Sequence, residues 1–222
     1  MSGKAAVAKR AKAARIISAL RKHYHGSVTA LSFHSPIEML VSTILSAQCT
    51  DARVNIVTKD LFRKYKTVRD YATADIRKLE QEIRSTGFYR NKAKNIIAAA
   101  KLIEGKFNGK VPKTMDELIT LPGVARKTAN IVLWNSYGII SGVAVDTHVT
   151  RLAYRLGLTK NTEQNKIEQD LMELYARKDW PHITNLLIAH GRAVCQAKKP
   201  LCRKCFLFRL CDRKGVDMKF WD

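Results

Sequence analysis

A segment near the middle of the chain combines a lysine amine, an aspartate carboxylate and a backbone turn. The sequence Leu-Pro-Gly-Val-Ala-Arg-Lys occupies residues 121–127, and Val-Asp-Thr-His occupies residues 145–148. Lys127 is a candidate nucleophile, although a free lysine has a pKa of about 10.4 and attacks only as the neutral amine. Asp146 supplies a candidate catalytic carboxylate. The segment therefore predicts amine chemistry beside a turn that can approach a ligand.

Two helices must position these residues, because a Pro-Gly pair interrupts the helical pattern. Apolar residues recur at helical spacing on both sides of that pair, at Leu118, Leu121, Val124, Ala129 and Val132. A continuous helix does not tolerate Pro122 and Gly123 in its interior, so a helix-hairpin-helix is predicted. Gly123 allows close backbone approach, and the N–H groups that open the second helix suit a phosphate. An ordinary αα-hairpin explains the same seven residues equally well.

The charge of the chain indicates a polyanionic partner. Lysine and arginine total 40 residues against 19 aspartates and glutamates, which leaves a net charge of +21. Basic residues extend from Lys4 to Lys219, so duplex DNA or RNA fits best. No apolar run approaches the roughly 20 residues that span a membrane, and no secretory signal follows the N-terminus. We therefore expect a cytoplasmic protein, associated with the nucleoid and without a membrane partner; a monomer is the default expectation.

Helix start signals recur along the chain, while the alternation typical of strands is nearly absent. Ser35, Pro36 and Glu38 supply an N-cap, a first-turn proline and a capping-box glutamate ahead of an apolar run. An all-α fold is predicted, with a helix that starts there. Further helices are predicted at residues 51–65, 75–84, 91–107, 115–118, 126–136, 147–156, 162–175 and 183–194.

The N-terminal segment allows two interpretations. The first 37 residues contain no acidic residue and many lysines, arginines and alanines, a composition shared with transit peptides. Ile16, Ile17 and Leu20 also form the apolar stripe of an ordinary helix. The ordinary helix is the favoured interpretation.

Four of the five cysteines are clustered near the C-terminus, as Cys195-x6-Cys202-x2-Cys205-x5-Cys211. This spacing in an intracellular protein predicts metal ligation rather than disulfides. Four thiolates can hold either Zn²⁺ or an iron–sulfur cluster, and the spacing alone does not separate the two. Lys198 and Lys199 lie in the first loop of the array, where they can meet phosphates. The fifth cysteine, Cys49, is most simply a small buried side chain.

Four segments of this chain resemble the endonuclease III family of DNA glycosylases. They are residues 45–51, residues 87–93, residues 121–130 together with 145–148, and the cysteine array. The resemblance implies a two-domain helix-hairpin-helix glycosylase fold. A six-helix barrel domain would span residues 29–139, an iron–sulfur cluster domain would comprise residues 1–28 and 140–222, and DNA would lie in the cleft between them. It also implies a 4Fe–4S cluster on the four clustered cysteines.

The resemblance also implies a role for individual residues. Lys127 would attack C1′ of a damaged nucleotide, expel the base and form a Schiff base that permits strand cleavage by β-elimination. Asp146 would mainly stabilise positive charge on the sugar, with proton transfer as its secondary role. Gln48 would fill the space that a flipped nucleotide leaves, with Phe88 as a wedge beside it. Leu121, Gly123 and Ala125 would form the phosphate-binding hairpin, and His148 is expected to make a local hydrogen bond.

The implied function is a bifunctional glycosylase and AP lyase that removes oxidised or ring-saturated pyrimidines from duplex DNA and also cleaves abasic sites. A mismatch thymine, uracil or adenine glycosylase shares the fold, but such relatives usually lack lysine at position 127. A non-enzymatic DNA-binding module leaves Lys127 and Asp146 unused, and a metal-dependent regulator explains little besides the cysteines. Two departures from the family stand out. Ala125 replaces a frequent glycine. Phe88 replaces the smaller aliphatic residue of some relatives, which bears on wedge insertion and opposite-base preference.

Overall fold

The computed structural model describes residues 3–25 and 29–221, and across those residues it contains helices and no β-strand. The predicted all-α class is therefore confirmed. The chain divides into two compact units, Thr29–Ser141 and the discontinuous pair Met1–Val28 with Gly142–Asp222. The predicted boundary at residue 28 lies outside the described residues. The barrel and cluster character of the two domains stays a prediction.

The α-helices are numbered in chain order. They are α1 (Gly3–His23), α2 (Pro36–Leu45), α3 (Asp51–Lys64), α4 (Val68–Ala72), α5 (Ile76–Glu82), α6 (Tyr89–Phe107), α7 (Met115–Leu118), α8 (Arg126–Tyr137), α9 (Thr147–Arg155), α10 (Gln164–Leu174) and α11 (Trp180–Ala193). Short 3₁₀ turns also occur, at Arg84–Thr86, Arg177–Asp179, Cys202–Lys204, Phe208–Leu210 and Met218–Phe220.

Side-chain caps explain where several of these helices begin. Ser35 accepts a hydrogen bond from the Glu38 N–H at 3.4 Å, and Pro36 opens α2 as predicted. The five-residue α4 was missed, because it is too short for its apolar residues to show a helical period. Its start nevertheless carries a capping box, in which Thr67 and Asp70 satisfy each other's backbone N–H groups. Helix α11 begins at Trp180, ahead of the predicted residue 183, since Pro181 is tolerated in a first turn.

The Thr29–Ser141 unit is built around α2. Met39, Leu40 and Leu45 are almost fully buried, and α2 packs against α8 as well as α3 and α6. A helix that is apolar on every side belongs inside a core. Helix α8, which begins at the predicted hairpin, is therefore anchored on the most buried helix of its unit.

The second unit packs its N-terminal helix against the C-terminal part of the chain. Ile16, Ile17 and Leu20 are buried with residues of α9, α10 and α11, which confirms the ordinary-helix interpretation for the described part of this segment. Helix α1 lies against α11 and α10. Across residues 3–25 and 29–221, we find no helix with the length and apolar character needed to cross a membrane.

Candidate nucleic-acid interface and cysteine cavity

The hairpin before α8 is shaped by Gly123 and tolerates alanine at position 125. Gly123 has a φ of +78°, and a Cβ added there would lie 2.9 Å from the side chain of Asn95. Glycine is needed for both reasons. Ala125 is extended, with φ −92° and ψ 170°, and it precedes α8 without a side-chain cap. The frequent glycine of the family is therefore not required by the backbone at this position.

Lys127 lies in the first turn of α8. The side chain is half-buried, while Leu121 of the same hairpin is buried in the core of its unit. The first turn of α8 contains no acidic residue. Its N–H groups have no acceptors within the helix, and the helix dipole adds partial positive charge. This end of α8 can therefore bind an anion next to an amine.

Two further turns of the same unit hold non-glycine residues in the left-handed region. Gln48, after α2, has a φ of 54°, and Phe88, directly before α6, has a φ of 47°. Phe88 is 64% exposed, and Gln48 is exposed as well. Left-handed backbone costs roughly 1–2 kcal/mol at such residues, and it tends to occur at functional sites. The exposed loop position of Phe88 was predictable, but its left-handed conformation was not.

The structure brings these turns together with the hairpin around one cavity of about 180 Å³. Gln48, Phe88 and Gly123 all line it. The remaining lining residues are Ile44, Ala47, Asn91, Lys92 and Asn95. A site with an exposed aromatic ring, three side-chain amides and a hairpin glycine offers both stacking and hydrogen bonding. This juxtaposition links residues that are 75 positions apart in the chain.

In the other unit, Asp146 is held by hydrogen bonds at the start of α9. Its Oδ1 accepts from the Val149 N–H at 2.8 Å, and His148 Nδ1 lies 3.3 Å from Oδ2. Asp146 is thus the N-cap of α9, and His148 makes the local hydrogen bond expected of it. The carboxylate retains partial exposure, 17% of its side chain. Capping fixes its orientation and leaves it accessible.

The four clustered cysteines line a second, narrow cavity of about 30 Å³. Burial raises the pKa of the Cys205 thiol to about 11, and burial likewise raises the pKa values of Cys202 and Cys211, with the neighbouring thiols adding to each shift. Mutual repulsion among four thiolates is relieved when they bind iron or zinc. Across the described residues, no three His, Cys, Asp or Glu side chains converge on a point that could hold a single metal ion. The thiols surround a cavity instead.

Two arginines of α9 hold the loop that follows Cys195. Arg155 donates from Nη1 to the Gln196 carbonyl at 2.8 Å and from Nη2 to the Ala197 carbonyl at 2.9 Å. Arg151 donates from Nη2 to the Cys195 carbonyl at 3.1 Å. Sequence reasoning missed both arginines. The signal that the sequence offered was the spacing of four residues between Arg151 and Arg155. This spacing places both on one face of α9, next to the buried Leu152.

His190 is a second neighbour of the array that the sequence did not reveal. Its Nε2 lies 3.4 Å from Cys205 Sγ, and its Nδ1 lies 3.0 Å from the Tyr24 hydroxyl. Burial lowers the pKa of His190 to about 4, with His23 adding to the shift, so the ring is neutral at pH 7. A neutral imidazole carries one N–H, which one of these two neighbours accepts.

Of the remaining predicted residues, Lys198 and Lys199 are exposed in the loop between the first two cysteines. Cys49 is half-buried against the core of the Thr29–Ser141 unit, less enclosed than predicted.

Comparisons with known proteins give one consistent family. Residues 41–177 match the HhH-GPD superfamily of base excision DNA repair proteins. The chain is 53% identical over 203 residues to the endonuclease III of Synechocystis sp., covering 91% of this chain and 93% of that one. It is 45% identical to the endonuclease III of Bacillus subtilis, with 82% and 86% coverage.

Solved structures agree. A non-covalent endonuclease III–DNA complex superimposes with a TM-score of 0.88 at 40% identity, covering 92% of this chain and 95% of that one. A thermostable thymine-DNA glycosylase shares the fold with a TM-score of 0.80 at 21% identity, covering 95% and 96%.

Proposed function

Because this chain belongs to the endonuclease III family, within the HhH-GPD superfamily of base excision DNA repair proteins, we propose that it excises oxidised or ring-saturated pyrimidines from duplex DNA through Lys127. Membership makes it a DNA glycosylase and AP lyase. The observation that carries the proposal is the half-buried Lys127 in the first turn of α8, directly after the Gly123 turn.

Lys127 performs the covalent step. Its neutral Nζ forms a bond to C1′ while the glycosidic bond breaks, and the base leaves with the bonding electrons and takes up a proton. The C1′–O4′ bond then breaks, O4′ takes up the proton that the nitrogen loses, and a protonated Schiff base forms at C1′. Removal of a C2′ proton then forms a C2′–C3′ double bond and breaks the C3′–O3′ bond. The phosphate departs with O3′ and its bonding electrons, as the 5′-phosphate of the downstream strand. Hydrolysis of the Schiff base releases Lys127.

Asp146 stabilises the positive charge that develops on the sugar as the base departs. Its carboxylate is suited to this role because the Val149 N–H and His148 hold it in one orientation while part of it stays exposed. A preorganised charge does not have to reorient during the reaction. Proton transfer at Asp146 is the secondary role.

Gln48 and Phe88 make the target sugar accessible. Rotating a nucleotide out of the duplex costs a few kcal/mol, because stacking and pairing are lost. Gln48 fills the vacated space, while the Phe88 ring enters the stack beside it as a wedge. Support comes from the exposure of both side chains and from the cavity that they share with Gly123.

The hairpin binds a phosphate of the same strand. Leu121 anchors the hairpin in the core, and Gly123 and Ala125 present their backbone to the phosphate. Lys198 and Lys199 supply further contacts to the DNA backbone, since both are exposed. The protein acts as a monomer on genomic DNA in the cytoplasm.

Cys195, Cys202, Cys205 and Cys211 hold a 4Fe–4S cluster. The donor set fits, because four thiols face one cavity and hydrogen bonds from Arg155 and Arg151 already fix the backbone after the first of them. When bound, the cluster supplies four iron–sulfur bonds that cross-link residues 195–211. Its role is structural, and the loop that it fixes carries Lys198 and Lys199.

The test is borohydride trapping on duplex DNA with a single thymine glycol or a single abasic site. Wild-type protein should give a covalent protein–DNA band and strand nicking on both substrates, while Lys127→Ala should reduce both signals to background. Lys101→Ala, which changes an exposed lysine of α6, is the matched control and should trap as wild type does. Wild-type protein that neither traps nor nicks contradicts the proposal.

A parallel series separates the alternatives within the superfamily. The other substrates are duplexes that contain a T·G mismatch, a uracil or an A opposite 8-oxoguanine. The target base should be excised from each of them at least tenfold more slowly than thymine glycol is. If one of these bases were excised faster than thymine glycol, the proposed substrate would be that class of base instead of damaged pyrimidines.

A further inference from the structure

Lys92 is a buried lysine that the chemistry above does not use. It lies near the start of α6 and is only 4% exposed. A buried ammonium is costly unless hydrogen bonds replace its water. Its Nζ donates to two backbone carbonyls, those of Leu45 and Thr86, each at 2.8 Å. Lys92 therefore joins two segments that are 41 residues apart in sequence.

The two carbonyls belong to the turns that carry Gln48 and Phe88. Leu45 is the last residue of α2, so its carbonyl accepts no hydrogen bond from within that helix. The turn that contains Gln48 follows directly. Thr86 ends a 3₁₀ turn, and Gly87 and Phe88 follow it. The backbone N–H of Lys92 also donates to the Phe88 carbonyl, at 3.1 Å. Lys92 thus contacts the Gln48 turn three residues before its left-handed position, and the Phe88 turn both two residues before and at its left-handed position.

Both turns need external support. Neither Gln48 nor Phe88 is a glycine, yet each has a positive φ. Such a conformation persists only where the surroundings determine it. Thr86 is itself buried, and its hydroxyl donates to the Ile83 carbonyl at 2.8 Å. The Lys92 ammonium is the link that ties this supported turn to the end of α2.

We propose that Lys92 is a positioning residue, which sets the spacing between Gln48 and Phe88 so that both side chains can enter the DNA stack together. The proposal rests on the proposed function. Lys92 acts through the two turns and does not touch the reacting sugar. Its loss should therefore impair extrusion of a stacked base far more than the chemistry of Lys127 on a sugar that carries no base.

Two variants test this. Lys92→Met keeps the apolar stem and removes the N–H donors, and Lys92→Arg keeps the charge with a different donor geometry. Lys94→Met, at an exposed lysine two residues further along α6, is the matched control. Each protein is assayed under single-turnover conditions for excision of thymine glycol and for borohydride trapping on a preformed abasic site. A 2-aminopurine next to the lesion reports unstacking by its fluorescence.

Lys92→Met should slow excision of thymine glycol by about tenfold or more and lose most of the 2-aminopurine signal, while abasic-site trapping falls by less than about threefold. Lys92→Arg should restore excision to within about threefold of wild type. Lys94→Met should match wild type in all three measurements. A purely structural role for Lys92 would lower excision and trapping in proportion and leave the fluorescence per bound complex unchanged.

The outcomes are distinct. Equal losses in both activities, or normal excision by Lys92→Met, would overturn the positioning role while leaving the proposed function intact. An inactive wild type would overturn the proposed function and this proposal with it. Should Lys92→Met unfold, Lys92→Gln, which removes the charge and retains fewer N–H donors, decides. A selective loss of excision by Lys92→Gln supports the proposal, and the same ratio of excision to trapping as in wild type rejects it.

Discussion

The two units of this protein build their candidate sites by opposite means. In the Thr29–Ser141 unit, the site consists of backbone geometry, with three left-handed positions at Gln48, Phe88 and Gly123 around one cavity. In the other unit, the distinctive site consists of sulfur atoms on a segment whose regular structure is limited to two 3₁₀ turns of three residues. The first site therefore depends on turns at the ends of helices, and the second depends on cysteine side chains.

The two sites are held rigid by different interactions. Helices α2, α6 and α8 pack around a shared core, so the turns at their ends are held without a cofactor. Residues 195–211 have few helical hydrogen bonds, and their described tethers include Arg155 and Arg151. The second site should therefore depend on its cofactor and the first should not.

The largest effect should come from removing a cluster ligand. Cys202→Ser should lose the iron and the visible absorbance of the protein. Hydrogen exchange in residues 195–216 should accelerate by about tenfold or more, because the cross-link is gone. Exchange in residues 29–141 should change little. Metal analysis, absorbance and hydrogen exchange with peptide resolution measure these effects.

Cys49→Ser is the matched control for that experiment, and it should retain iron and wild-type exchange. A colourless wild-type protein with one zinc would reject the iron–sulfur assignment. Equal acceleration of hydrogen exchange in both units would show that the cysteine site does not depend on its cofactor more than the other site does.

A smaller effect is expected from Gly123→Ala in the backbone-built site. The positive φ and the 2.9 Å approach to Asn95 both oppose a Cβ there. The free energy of unfolding should fall by about 1–3 kcal/mol, and DNA affinity should weaken because the hairpin shifts. Urea unfolding and fluorescence anisotropy with an abasic duplex measure the two quantities.

Gly105→Ala serves as the control for this substitution. Gly105 lies inside α6, and a Cβ there meets nothing within 4 Å. Alanine should stabilise that helix by up to about 1 kcal/mol. If both alanine variants had the same stability and affinity, the special geometry assigned to Gly123 would be wrong.

The smallest effect should come from the exposed lysines of the cysteine loop. Replacing Lys198 and Lys199 by alanine should reduce the slope of log K against log salt by about 0.9 for each DNA phosphate that a lysine no longer neutralises. Affinity at low salt should fall, with thermal unfolding unchanged. Lys101→Ala should leave the slope as it is. An unchanged slope in the double variant would show that this loop does not bind the DNA backbone.

Local sequence signals predicted much of the secondary structure. The Ser35, Pro36 and Glu38 pattern identified the start of α2, and the Pro122-Gly123 break identified the hairpin before α8. Such signals act within one or two helical turns, so neighbouring residues are sufficient to read them. The missed helix α4 contains only Val68–Ala72, too few residues for a period to appear.

The residues that hold the candidate sites in place were harder to predict. Lys92, Arg155 and His190 each bind groups that are distant in sequence, such as the Leu45 carbonyl, the Gln196 carbonyl and the Tyr24 hydroxyl. A lysine, arginine or histidine on a helix looks the same in sequence whether it is solvated or buried. Only its burial and its partners distinguish the two states.

The helical class, the hairpin, the cysteine array and the positions of Lys127 and Asp146 were all predictable from the amino-acid sequence. These depend on residue type and short spacing, which are written directly in the chain. Three further facts required the folded chain: Ala125 needs no positive φ, Gln48 and Phe88 share a cavity with Gly123, and Lys92 connects their two turns. Those facts depend on packing between segments that are tens of residues apart, because packing determines which backbone conformations and which buried charges the fold can support.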